Sequence, residues 1–205
     1  MAVNLAIFAS GRGSNAQKIV EYFQDHSEVS VQLIVANRPS AKVLDLGPKY
    51  GIATQVIKRE PFYSSRAFLK DLKQENIDYL ILAGFLWLVP TYLVQAYPNR
   101  ILNIHPALLP KYGGKGMYGM NVHQAVAEAG ELESGITIHY VNEHYDEGAI
   151  VFQASCALEA TDTAEQIAQK VLSLEHTYYP QIIEQVIQKD IKERAPDSIS
   201  SSGVK

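Results

Sequence analysis

The sequence predicts an α/β fold, a doubly wound and mostly parallel sheet flanked by helices. Three observations carry that expectation. Short apolar runs alternate with amphipathic stretches through the first half, the pattern of successive βαβ units. The first run ends in a glycine-rich turn that leads into a helical pattern. A later run over residues 79–83 is almost wholly apolar, as expected where both faces of a parallel strand are covered.

Taken in order, the apolar run Val3–Ala9 reads as the first strand, followed by a helix over residues 15–26. Val29–Ala36 is the second strand, residues 41–50 the second helix, and 55–57 a short third strand. Residues 62–75 form one amphipathic helix with Phe62, Leu69 and Leu72 among its apolar positions. The fourth strand, 79–83, precedes a short helix over 90–96 that opens on a proline, which suits a first helical turn. Residues 101–104 give the fifth strand and 122–129 a helix. Strands at 135–141 and Ile150–Ala157 are joined by an acidic loop. The last long helix starts near Thr161, with Asp162 as cap and Glu165 three residues on. Ile167, Val171, Leu174 and Tyr178 line one of its faces, and Pro180 should break or kink it. Residues 1–190 are expected to form one domain and 191–205 a polar, Ser-rich, flexible tail.

A net charge of −4 over 205 residues argues against nonspecific nucleic-acid binding, which needs a basic surface. Hydrophobic residues at 47% and charged residues at 20% are an ordinary globular balance. Cys156 is the only cysteine, which excludes an internal disulfide and a cysteine-based zinc site. No apolar run is long enough for a membrane span, and the start lacks the basic region of a signal sequence. A cytoplasmic address, with no membrane partner, is the expectation.

The segment Ile101-Leu-Asn-Ile-His-Pro-Ala-Leu-Leu-Pro110 carries the chemistry. Strand geometry repeats every second residue, so Asn103 and His105 should project from one face. Pro106 ends the ladder, which sets the pair near the carboxyl end of a strand, where open α/β sheets build their crevices. An amide can donate to a developing oxyanion, and an imidazole can move a proton near neutral pH. A carboxylate could orient the imidazole; Glu143, Asp146 and Glu147 in the acidic loop all qualify by chemistry. Ser10-Gly-Arg-Gly-Ser-Asn15 fits either a cradle for a phosphate monoester or a tight turn capped by Ser14. Glu175 lies among Val171, Leu172, Tyr178 and Tyr179, a rim residue or a recognition group, and we favour recognition. Leu86, Trp87, Leu88 and Val89 read as core or crevice wall. The other histidines show no metal-binding spacing.

These segments, with Leu82-Ala-Gly-Phe85, Gly135-Ile-Thr-Ile-His139, Tyr145-Asp-Glu-Gly148 and Glu175-His-Thr-Tyr-Tyr-Pro180, closely resemble the phosphoribosylglycinamide formyltransferase family up to roughly residue 190. The resemblance implies a formyltransferase fold with a Rossmann-like N-terminal half, and a role in purine (IMP) synthesis. It implies that Asn103, His105 and Asp146 are catalytic, and that Gly13, Ser14 and Asn15 hold the phosphate of glycinamide ribonucleotide, which Glu175 also contacts. Arg66, Leu86, Trp87, Leu88, Val89 and Asn103 would line the site for the cosubstrate 10-formyltetrahydrofolate. No metal is implied, and the protein would be a monomer or homodimer acting on small molecules. Family members often have Met-Arg where this chain has Leu86-Trp87, so the resemblance carries over backbone contacts to folate at that position but not a side-chain contact. Residues 113–121 carry four glycines and look longer than in common relatives, which suggests a flap over the crevice. Formyltransferases for methionyl-tRNA or amino sugars, and the deformylase, usually carry a further domain. A catalytically silent binding module on the same fold would not require all three catalytic residues.

Overall fold

The computed structural model describes residues 2–194. A seven-stranded sheet runs in the order β3-β2-β1-β4-β5-β6-β7, built from β1 (Val3–Ala9), β2 (Val29–Ala36), β3 (Ala53–Val56), β4 (Tyr79–Leu82), β5 (Ile101–His105), β6 (Glu133–Tyr140) and β7 (Ile150–Ala157). β3 through β5 pair in parallel, and β6 and β7 join antiparallel. Strand order reverses direction between β1 and β4, the switch point at which such sheets open a crevice.

Alternation along β1 explains the two layers. Leu5, Ile7 and Ala9 enter one apolar cluster, with α1 (Ser14–Phe23) and the long α7 (Ala164–Arg194) packed over it. Ala6 and Phe8 enter a second cluster on the opposite face. That face is covered by α3 (Arg59–Ser64), α4 (Ala67–Gln74) and α5 (Thr91–Ala96), through Phe62, Phe68, Leu72 and Leu93. α2 (Leu46–Tyr50) and α6 (Met120–Glu128) complete the helices. The doubly wound expectation therefore holds.

Several local expectations give way to specific chemistry. The helix over 41–50 is a 3-10 turn at Lys42–Asp45 followed by the short α2. The helix over 62–75 is two helices: Ser65 adopts an extended backbone and its Oγ accepts the Ala67 N–H at 3.0 Å, starting α4 afresh. α1 ends at Phe23 rather than 26, and His26 instead accepts the N–H groups of Glu28 and Val29 on Nδ1, turning the chain into β2.

At the start of α7 the capping pair is Thr163 with Gln166, not Asp162 with Glu165. Asp162 is occupied by Lys170 and the Glu159 N–H. Pro180 does not break α7, because Tyr179, Pro180, Ile182 and Ile183 are all buried against the sheet and that packing outweighs the lost backbone bond. The helix also passes the expected boundary at 190, with Arg194 donating to Asp190 at 2.8 Å. The rest of the expected tail, 195–205, lies outside the described residues.

Candidate active site

The carboxyl ends of β4 and β5 open into a cavity of about 550 Å³. Asn103, His105 and Asp146 line it together, as do Asn15 and Glu175 on another wall. Asn103 and His105 share one face of β5, the face on which Ile101 joins the second apolar cluster. Across the antiparallel junction, Asn103 is paired with His139 and His105 with Thr137.

That pairing brings in His139, which the sequence reading did not single out as a site residue. Its Nδ1 donates to the Tyr140 carbonyl at 2.8 Å, which leaves Nε2 to accept from Asn103 Nδ2 at 3.1 Å. One amide proton of Asn103 is thereby committed and the second is free for a ligand oxygen. His105 is 3% exposed. Its Nε2 donates to the Tyr112 carbonyl at 2.7 Å, and its Nδ1 lies 3.5 Å from Asp146 Oδ2. Burial is the largest influence on the ring and holds its proton affinity below the ordinary histidine value. The Asp146 carboxylate and the Tyr112 carbonyl pull the other way, so a proton gained on Nδ1 would meet a negative charge already in place.

Asp146 owes its position to an unusual backbone. It has φ 58 in the acidic loop between β6 and β7, followed by Gly148, where a Cβ would collide with the Tyr140 carbonyl. Its Oδ2 accepts the Gly114 N–H at 2.9 Å, and its Oδ1 lies 3.6 Å from His139 Nε2. Burial raises its pKa, yet the His139 ring, the neighbouring His105 and the Gly114 N–H together outweigh burial and hold the carboxyl below its usual range. Of the three candidate acids, Asp146 alone reaches His105 within ion-pair distance among the described residues; Glu143 lines an adjoining pocket instead.

The glycine turn after β1 positions the opposite wall. Gly13 takes a left-handed φ of 78, and a Cβ there would sit 2.6 Å from Val43, so two constraints demand glycine. It is the N-cap residue of α1, and no side chain caps that end, so of the two readings of this turn the one with Ser14 as cap does not hold. Ser10 Oγ accepts the Leu86 N–H at 3.0 Å, tying the turn to the segment after β4. Asn15 donates to Glu175 Oε2 at 2.8 Å. Glu175 lies on the buried face of α7, 9% exposed, and burial pushes its carboxyl up to about 7 despite the Asn15 bond.

Leu86, Trp87, Leu88 and Val89 form an apolar wall of the same cavity. Arg59 stacks at 5.5 Å over the Tyr63 and Trp87 rings. Arg66 is not in the main cavity. It lines a second pocket of about 450 Å³ that shares Leu88 and Val89 with the first. Residues 114–119 of the glycine-rich segment also line the main cavity, with Gly114 and Gly116 at φ 93 and 94. Contributions from the Tyr112 carbonyl and the Gly114 N–H are backbone groups, which no side-chain motif could have announced.

A profile of the formyl transferase family matches residues 3–183. A phosphoribosylglycinamide formyltransferase of Bacillus subtilis (strain 168) is 34% identical over 187 residues, covering 89% of this chain and 93% of that protein. A chloroplastic phosphoribosylglycinamide formyltransferase of Arabidopsis thaliana is 44% identical over 196 residues, covering 93% of this chain and 67% of that protein. Among solved structures, the phosphoribosylglycinamide formyltransferase of Anaplasma phagocytophilum superposes with a TM-score of 0.83 at 32% identity, covering 92% of this chain and 89% of the other.

Proposed function

The chain belongs to the formyl transferase family, among its phosphoribosylglycinamide formyltransferases, and from that footing we propose that it moves the formyl group of 10-formyltetrahydrofolate to the amine of glycinamide ribonucleotide, a step of purine synthesis. The observation that carries the mechanism is the convergence of Asn103, His105 and Asp146 in one cavity. The amine nitrogen attacks the formyl carbon and a C–N bond forms. The free amide proton of Asn103 donates to the oxyanion of the tetrahedral intermediate, and the positive charge of a protonated His105 stabilises it further. The bond to folate N10 then breaks as a proton passes from the incoming amine to that nitrogen. Asp146 holds the His105 proton through the cycle, and His139 fixes the amide of Asn103.

The cavity wall of Leu86, Trp87, Leu88 and Val89 suits a flat heterocycle, and Arg66 in the adjoining pocket suits the anionic end of a folate. Gly13, Ser14 and Asn15 would take the substrate's phosphate and Glu175 its glycinamide ribose portion, as the resemblance implies. No helix of the described residues is long and apolar enough to cross a membrane. We infer a cytoplasmic address, and imaging of a tagged chain would separate it from the plastid location in the plant relative's name.

Single-turnover absorbance with 10-formyl-5,8-dideazafolate tests the reading. Folate product should appear only when glycinamide ribonucleotide is present. His105→Ala should lower turnover by at least about 10²–10³, the scale of one lost transition-state donor, with its circular dichroism unchanged. Product release without the amine would instead mark a hydrolase, and no release in either case would sink the proposal.

A further inference from the structure

We propose that Lys115, in the glycine-rich segment between β5 and α6, is the counter-ion for the phosphomonoester of the amine substrate and so a determinant of substrate specificity. The inference rests on the transferase reading above and deepens it.

The charge balance of the cavity comes first. Its lining holds the carboxyls of Asp146 and Glu175, and among the described residues Lys115 is its single lysine or arginine. A phosphomonoester carries close to two negative charges at neutral pH. Bringing it into a cavity that already holds the Asp146 carboxylate without a compensating cation is unfavourable, the more so where walls such as Val89 exclude water.

Lys115 is also uncommitted. It forms no salt bridge or side-chain hydrogen bond among the described residues, whereas Lys111, four residues earlier, is held by Glu131 at 2.8 Å. The backbone delivers it to the site. Gly114 precedes it with its N–H fixed on Asp146 Oδ2, so Lys115 is one residue from the catalytic candidate's own anchor. Gly114 and Gly116 on either side have positive φ and open space where a Cβ would go. Their glycine identity therefore serves the turn that carries Lys115 rather than close packing.

The competing anion is the carboxylate end of the folate. Arg66 serves the adjoining pocket, whereas Lys115 lines the main cavity, which Asn15 of the turn assigned to the phosphate also lines. An ammonium on a flexible stem suits a phosphate, which accepts from many directions.

Lys115→Gln should raise KM for glycinamide ribonucleotide about tenfold, the scale of one charge-assisted hydrogen bond, while KM for the formyl donor stays where it was. Lys115→Arg should recover most of the loss. Calorimetry with ribose 5-phosphate gives a readout free of turnover: affinity should fall by a similar factor in Lys115→Gln and become less sensitive to salt. A rise in donor KM instead, unchanged amine KM, or equal ribose 5-phosphate affinity in both proteins would overturn the assignment. If the wild type binds ribose 5-phosphate through Lys115 yet transfers no formyl group, the counter-ion stands and the transferase reading falls.

Discussion

A carboxyl group on the buried face of a helix persists either by finding a partner or by keeping its proton, and Glu175 does both. Asn15 supplies one hydrogen bond, and burial lifts the pKa from 4.5 to about 7. The folded state thus holds a proton that the unfolded chain has lost between those values. Its contribution is full below about pH 4.5 and is lost as pH rises through about 7. A tenfold change in proton affinity is worth about 1.4 kcal/mol, so the wild type should lose on the order of 3 kcal/mol more stability than Glu175→Gln between pH 4.5 and 8. Urea unfolding of both proteins at the two pH values measures it, and parallel pH slopes would refute a neutral Glu175. Asp146 has the opposite sign, with its net stabilisation present above its ordinary range and declining only in acid. Asp146→Asn should lower turnover by about 10² or more, because a neutral amide cannot hold an imidazolium; single-turnover rates check it. Reading the sequence put Asn103 and His105 on one face near the carboxyl end of a strand, as they are in β5, since strand alternation is a local property. His139 escaped because its place beside Asn103 depends on which strand becomes β5's neighbour, and nothing local encodes that.

At the scale of elements, the strands were more legible than the helices. β1 and β2 carry the bounds that their apolar runs predict, because buried strands concentrate apolar residues between turn formers, and the half-exposed edge strand β7 keeps its predicted bounds as well. Helix ends follow single hydrogen bonds, and two neighbouring candidates for a cap look alike in sequence. Thr163 prevails at α7 since its Oγ1 accepts the Gln166 N–H at 3.3 Å while Gln166 Oε1 accepts the Thr163 N–H at 2.7 Å. Thr163→Ala should cost about 1 kcal/mol in urea unfolding, and no loss would return the capping role to Asp162. The split between α3 and α4 has the same origin. Ser65 looks like any polar position in a helical pattern, yet its hydroxyl competes for a backbone N–H and starts a new helix.

Over the whole molecule, α7 is the element that fastens the two halves of the sheet to each other. Tyr179, fully buried, places its hydroxyl 2.9 Å from the carbonyl of Leu82, the last residue of β4, and 3.1 Å from that of Leu102 in the neighbouring β5. Tyr179→Phe should cost about 1–2 kcal/mol of stability, measured as a lowered urea midpoint with unchanged slope. The doubly wound class was readable because the alternation of runs is a global pattern. The antiparallel joining of β6 was not, and that joining has its own implication. Asn103 faces His139, and His105 faces Thr137, only in the one alignment of β6 against β5 that the fold adopts. A slip of one residue would send His139 and Thr137 to the opposite side of the sheet, among the contacts of α7. A misaligned hairpin could still bury much of its apolar surface and pass for native by secondary structure alone. It could not assemble the Asn103–His139 pair, so turnover per mole of refolded chain would count the correctly aligned molecules, a fidelity gauge that spectroscopy of the same sample lacks.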